Sequence, residues 1–341
     1  MFLNQTTYPV GTQTYSVAVA DVNGDNTPDI IVTSITSHTV GVLLNTGNGT
    51  FGAQTIYSVG SQPLSVAVGD VNSDNKPDVI AVSSVSPGSV SVLLNTGNGT
   101  FNAQNTYSVG VGPQGVVVVD VNSDNKSDIV VANRADGSVG VLLNAGSGTF
   151  NAQATYPVGT APISVAVADV NSDNKPDIVV ANSGGGSVGV LLNAGSGIFN
   201  AQATYPVGTT PMSVAVADVN SDNKPDIVVA NYGNNTVSVL LNAGSGTFNA
   251  QATYPVGTTP MSVAVADVNN DNKPDIVVVN FGSNNVGVLL NTGNGTFNAQ
   301  NNYTVGLDPQ AVAVADVNND NKPDIVVANW GSATVSVLLH C

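Results

Sequence analysis

Ser213-Val-Ala-Val-Ala-Asp-Val-Asn-Ser-Asp-Asn-Lys-Pro-Asp-Ile-Val-Val-Ala-Asn231 carries the pattern that decides the fold. Ser213 to Asp218 alternates between small and apolar side chains, which predicts a strand. Ile227 to Asn231 is a short, β-branched run and predicts a second. Between them, Asp218, Asn220, Asp222 and Asp226 stand at positions 1, 3, 5 and 9 of an acidic loop.

Tyr232-Gly-Asn-Asn-Thr reads as a turn and Val237-Ser-Val-Leu-Leu241 as a third strand. Asn242 to Phe248 supplies the glycines of a tight hairpin, and Gln251 to Val256 is a fourth strand. The loop motif opens again at Asp21, Asp70, Asp120, Asp169, Asp267 and Asp316, at intervals of 49 or 50 residues. Seven such units fill residues 1–341 as one domain. Four-stranded units at this period predict an all-β, seven-bladed β-propeller, in which radial stacking buries both faces of each antiparallel blade. Phe2 to Val10 aligns with a fourth strand, whereas the last unit stops after its third, Val335 to Leu339. The N-terminal strand is therefore expected to complete the last blade and close the ring, removing an open edge.

Composition points the same way. All 23 acidic residues are Asp, a turn residue, and none is Glu, a helix former. A net charge of −16 argues against nucleic acid as a partner. No apolar run is long enough to insert into a bilayer. The single cysteine, Cys341, has no internal partner and is free or pairs between chains. No signal peptide is recognisable in this chain.

The acidic loops predict metal sites. Position 1 is Asp21, Asp70, Asp120, Asp169, Asp218, Asp267 and Asp316, and position 3 is Asn23, Asn72, Asn122, Asn171, Asn220, Asn269 and Asn318. Position 5 is Asp25, Asp74, Asp124, Asp173, Asp222, Asp271 and Asp320, and position 9 is Asp29, Asp78, Asp128, Asp177, Asp226, Asp275 and Asp324. Position 7 offers a backbone carbonyl, from Thr27, Lys76, Lys126, Lys175, Lys224, Lys273 and Lys322. Hard oxygen donors in this number suit Ca²⁺, one ion per blade, better than Mg²⁺, which prefers a smaller shell, or Zn²⁺, which prefers His and Cys. The loops hold 21 of the 23 acids, so seven Ca²⁺ would offset 14 of the 16 net negative charges. Position 6 is Asn throughout, the non-glycine residue that best tolerates the positive φ of a sharp bend. The ions are expected to brace the first two strands of each blade, without catalysis.

With this loop and the Gly-x-Gly-Thr-Phe hairpin, seen at Gly97 to Phe101 and Gly146 to Phe150, the chain resembles the FG-GAP or VCBS repeat family, the propeller repeats of integrin α-subunits. The resemblance covers all seven units. It implies calcium in the first interstrand loops, an extracellular, secreted setting, and adhesion or ligand binding, and it extends to lectin-like fungal propellers. The chain departs from the family's common pattern at positions 3 and 6, both Asn, which implies a lower calcium affinity.

Successive loops of a meander alternate between its ends, so acidic loops and glycine hairpins should share one face. The opposite face carries the loops that differ between units. Of the 18 aromatic residues, 14 follow the repeat as a hairpin Phe (Phe2, Phe51 and their equivalents) or a fourth-strand Tyr (Tyr8, Tyr57 and their equivalents), and are expected in the core. The remaining four, Tyr15, Tyr232, Phe281 and Trp330, are expected in loops of this variable face, on blades five to seven and the junction to blade one, a contiguous arc that could contact a ligand or simply cap its own blades. Arg134 and His38 lie outside the arc and are expected to be solvated. No acid, base or nucleophile constellation is recognisable, so a non-enzymatic role is expected. The expected partner is a glycan or an extracellular protein. The alternative is a structural subunit that self-associates, with the N-terminal strand completing a neighbour's blade.

Overall fold

The structure, a computed structural model, describes residues 1–341. Seven four-stranded antiparallel sheets stand around a central channel. In the fifth blade, Pro211–Ala217 is innermost, followed outward by Asp226–Asn231, Thr236–Leu240 and Ala252–Pro255. The innermost strand begins two residues before the alternating run, and its register shifts between Pro211 and Ser213 in a bulge. Each glycine hairpin is more than a turn: Asn242–Gly244 and Thr247–Phe248 form a separate two-stranded ribbon, and five other units have its counterpart.

Burial follows the sequence pattern. The second strand is buried along its whole length in every blade, which is why it reads as an unbroken apolar run. Each hydrophobic cluster spans two neighbouring blades: Val228, Ala230, Val237 and Val239 of the fifth pack with Val263, Ile276, Val278 and Leu289 of the sixth. A blade therefore has no core of its own, and the ring is the stable unit. At the channel the innermost strands join through serine. The Ser213 hydroxyl accepts the Val263 N–H at 3.2 Å, and Ser16, Ser164 and Ser262 do the same for Val66, Val214 and Val312.

Thr6–Pro9 pairs with Thr334–Leu338, in register from Thr6 opposite Val337 to Pro9 opposite Thr334. The N-terminal strand thus completes the seventh blade of its own chain, as expected, and the bridge from Phe2 to His340 stands where the other blades carry their ribbon.

The periodic aromatics differ from expectation in one respect. The hairpin Phe is largely buried, but the Tyr is only half-buried and belongs to a seam between blades. Tyr205 meets Phe248 of the next blade edge-on, with ring centroids 5.3 Å apart, and its hydroxyl donates to the Gly246 carbonyl at 3.2 Å. The short strand leaves the phenol tip at the rim, where only that carbonyl completes its hydrogen bonding. Gly246 itself has φ +72°, and a Cβ there would lie 2.8 Å from Leu192 Cδ2 of the preceding blade. No helix is long and apolar enough to cross a membrane.

Candidate functional site

The two faces are built by different rules. On the first, the Asp21 carboxylate is wrapped by its own loop: Oδ1 accepts the N–H groups of Asn23, Gly24 and Asp25 at 3.2, 2.7 and 3.2 Å, and Oδ2 accepts that of Asn26 at 2.7 Å. Two left-handed residues turn those N–H groups inward. Asn26, at position 6, has φ 65° as the sequence implied, and Gly24, at position 4, has φ 80°. The second bend had no glycine signature in the other loops, where Ser73, Ser123, Ser172, Ser221, Asn270 and Asn319 adopt it.

Position 9 acts as a strap. Asp29 is fully buried; its Oδ2 accepts the Val22 N–H at 2.9 Å and its Oδ1 accepts the Asn45 N–H at 2.7 Å. The same pair of bonds recurs at Asp78, Asp128, Asp177, Asp226, Asp275 and Asp324. Asn45 extends the strap to the previous blade, its amide donating to the Pro28 carbonyl at 2.9 Å and to the Val317 carbonyl at 2.7 Å. Asn95, Asn144, Asn193, Asn242 and Asn291 repeat this. Sequence reasoning passed over these asparagines, although their recurrence after Leu-Leu at the end of every third strand but the last was a visible signal. His340 takes the place in the seventh blade and donates its N–H to Asp324.

Burial pushes the Asp29 carboxyl up to about 6, against the two N–H bonds, with Asp25 and Asp21 adding to the rise. Asp177, Asp226, Asp275 and Asp324 are likewise pushed up to about 6, and Asp78 and Asp128 are raised for the same reasons. At the exposed rim, the Thr27 hydroxyl first, then Asn23 and the Thr27 N–H, hold Asp25 below its ordinary value. In five loops a position 7 lysine supplies positive charge: Lys76, Lys126, Lys175, Lys224 and Lys273 lie 3.1–3.4 Å from the position 5 carboxylate. These carboxylates are turned onto N–H groups and ammonium, and no three His, Cys, Asp or Glu side chains close into a metal-holding group. In donor chemistry the loops nevertheless fit a hard divalent cation, with carboxylate, amide and carbonyl oxygens crowded enough for one carboxylate to raise another.

The opposite face is built from two repeat positions. One is the first residue after the second strand, occupied by Ile35, Ser84, Arg134, Ser183, Tyr232, Phe281 and Trp330. Its N–H is bonded in every blade to a carbonyl just before the innermost strand, as from Tyr232 to Thr210 at 3.0 Å, Phe281 to Thr259 at 3.1 Å and Trp330 to Asp308 at 3.0 Å. The other is the second residue of the innermost strand: Tyr15, which is therefore in a strand and not in a loop as expected, Leu64, Gln114, Ile163, Met212, Met261 and Gln310. The backbone is thus repeated while the side chains are not. Where the sequence placed its arc, Tyr15, Tyr232, Phe281 and Trp330 surround one cavity of about 480 Å³, together with Thr210, Met212, Met261 and Gln310. The two methionines and Gln310 carried no aromatic signal and were not anticipated. Burial pushes the Tyr15 phenol up, and Arg134, which is outside the wall, opposes part of that rise. His38 is exposed, and its Nδ1 accepts the Gln62 N–H at 3.1 Å.

Family comparison matches the repeat described as FG-GAP-like to residues 21–81, 70–131, 120–180, 169–229, 218–278 and 267–327. No curated protein matches the chain. Among solved structures it is similar to virginiamycin B lyase from Staphylococcus aureus, at 14% identity over 100% of both chains with a TM-score of 0.70. It is also similar to BBS1N, solved in complex with ARL6DN, at 13% identity over 99% of this chain and 96% of that one, TM-score 0.71. A third is a lectin from Agrocybe aegerita that recognises non-reducing terminal N-acetylglucosamine, at 22% identity over 86% and 81% of the two chains, TM-score 0.59. An enzyme, a protein binder and a sugar binder share the architecture, so fold alone assigns no role.

Proposed function

The chain belongs to the FG-GAP-like repeat family, and from that premise we propose that it is a calcium-stabilised, extracellular binding module, without catalytic activity, that recognises a glycan or protein through the face opposite its acidic loops. The observation that carries the reading is the gathering of all four non-periodic aromatics around one cavity on the variable face. Exposed aromatic rings offer large, rigid contact area to sugar faces and to protein side chains alike.

Asp at positions 1, 5 and 9, Asn at position 3 and the carbonyl of position 7 would hold Ca²⁺, which supplies positive charge between carboxylates that otherwise oppose one another. The ion's role is structural, because the position 9 carboxylate joins the loop to the hairpin while the next asparagine joins blade to blade. The non-catalytic part of the reading rests on the cavity wall, where the Tyr15 and Tyr232 phenols and the Thr210 hydroxyl have no carboxylate, histidine, lysine or cysteine in the lining to act with.

The test is a glycan array and an extracellular protein panel probed with the intact chain in calcium, alongside Phe281→Ala. Specific capture by the wild type, lost in Phe281→Ala at unchanged melting temperature, supports the proposal. Capture that Phe281→Ala leaves intact, or no capture at all, contradicts it.

A further inference from the structure

We propose that the aromatic cavity takes an uncharged, ring-bearing group with one amide-like hydrogen-bonding edge, and that Gln310 reads that edge; the inference rests on the reading of this face as a ligand site. At about 480 Å³ the cavity falls in the usual range of small-molecule sites. Its wall is Tyr15, Met212, Tyr232, Met261, Phe281 and Trp330, with Thr210 and Gln310 as the polar members and no formal charge. A charged ligand would lose its hydration there with no counter-charge in the wall itself, Arg134 acting only from outside it. A hexose presents hydroxyls around its whole rim, too many for two polar side chains and the phenols to satisfy, so the inference narrows the glycan-or-protein reading to a non-sugar group. A flat ring suits the aromatic walls, and the methionines can adapt to its outline.

Gln310 supplies the specific element. It is 8% exposed, yet its Oε1 is buried with no hydrogen-bond partner. An unpaired buried acceptor is costly, so a ligand donor that meets it once the side-chain amide turns toward the cavity gains more than an ordinary surface bond would give. The residue also lines a second cavity, of about 120 Å³, in the channel throat, which shares Tyr15, Met212 and Met261 with the first. Gln310 therefore stands where mouth and throat meet, with the ring seated outside it and the donor directed inward. An amide carries a donor and an acceptor side by side, matching the two ends of the Gln310 side chain.

Trp330 is the only tryptophan and sits in the wall, so its emission reports occupancy in the intact, calcium-loaded chain. The probes are phenylacetamide, N,N-dimethylphenylacetamide, which lacks the donor, phenylacetate, which is charged, and a methyl hexopyranoside. The expected result is a saturable change with phenylacetamide, binding on the order of tenfold tighter than the dimethyl amide or phenylacetate, and none with the hexoside. Gln310→Leu should remove the difference between the two amides while keeping ring binding. No saturable change, equal binding of both amides by the wild type, preference for phenylacetate, preference for the hexoside, or an amide difference that survives Gln310→Leu would each overturn the inference. The wild-type comparison of amides decides the matter even if Gln310→Leu fails to fold. If the probes fail while Phe281→Ala still abolishes capture of a glycan or protein, this inference alone falls; if capture fails too, the underlying reading falls with it.

Discussion

Asp226 and Trp330 belong to the same kind of unit but to opposite faces, and they have followed opposite rules. At position 9 every blade has Asp, every Asp is fully buried, and each bonds the same two N–H groups, except that His340 replaces the hairpin Asn in the seventh. At the position of Trp330 the backbone bond is equally regular, yet the side chain runs from Ile35 and Ser84 to Arg134, Ser183, Tyr232, Phe281 and Trp330. A side chain that satisfies neighbouring backbone cannot change without stranding it. A side chain that points to solvent from a fixed backbone can change freely, and on three adjacent blades it has become aromatic.

Substitutions should separate the two faces, and the sharpest break is expected at Asp226→Ala. It strands the Val219 and Asn242 N–H groups in the interior and should cost about 3 kcal/mol in urea unfolding. Asn242→Ala removes the amide bonds to the Pro225 and Val170 carbonyls, and should cost about 2 kcal/mol in the same assay. Tyr205→Phe loses only the phenol bond at the rim and should cost about 1 kcal/mol or less. Trp330→Ala should change stability by no more than about 0.5 kcal/mol while weakening ligand capture. A Trp330→Ala loss as large as that of Asp226→Ala would mean that the variable face holds the ring together as much as the repeated one does.

Acidity sharpens the contrast further. The buried carboxyls of Asp29, Asp177, Asp226, Asp275 and Asp324 are raised to about 6 from 3.8. A raised carboxyl contributes stability that is fully present below the unfolded value and is lost as pH rises through the folded one. In chelator the chain should therefore melt higher at pH 5 than at pH 7.5. In calcium the order should reverse, because only ionised carboxylates hold the ion. Melting curves at both pH values, with and without chelator, check the crossing.

The propeller was legible because repetition averages out local ambiguity: seven acidic loops and complementary chain ends leave few other closed arrangements. The aromatic arc was legible by subtraction, once the periodic Phe and Tyr were set aside. What the sequence did not disclose depends on contacts between blades. The amide of Asn45 reaches Val317 from the far end of the chain. Tyr205 is drawn to a seam by the Gly246 carbonyl of the next blade's hairpin. Gln310 and Gln114 hold equivalent positions, but Gln310 is buried and lines the aromatic cavity, a difference set by neighbouring blades.

Calcium uptake, followed through the melting temperature, tests the division of labour most directly. Linkage at several sites of even modest affinity should raise the melting temperature by at least about 10 °C in millimolar calcium, reversibly on chelation, with measurable heat of binding. A chain that takes up no calcium by calorimetry, and melts at the same temperature with and without chelator, would contradict the assignment of the repeated face to ion-braced stability.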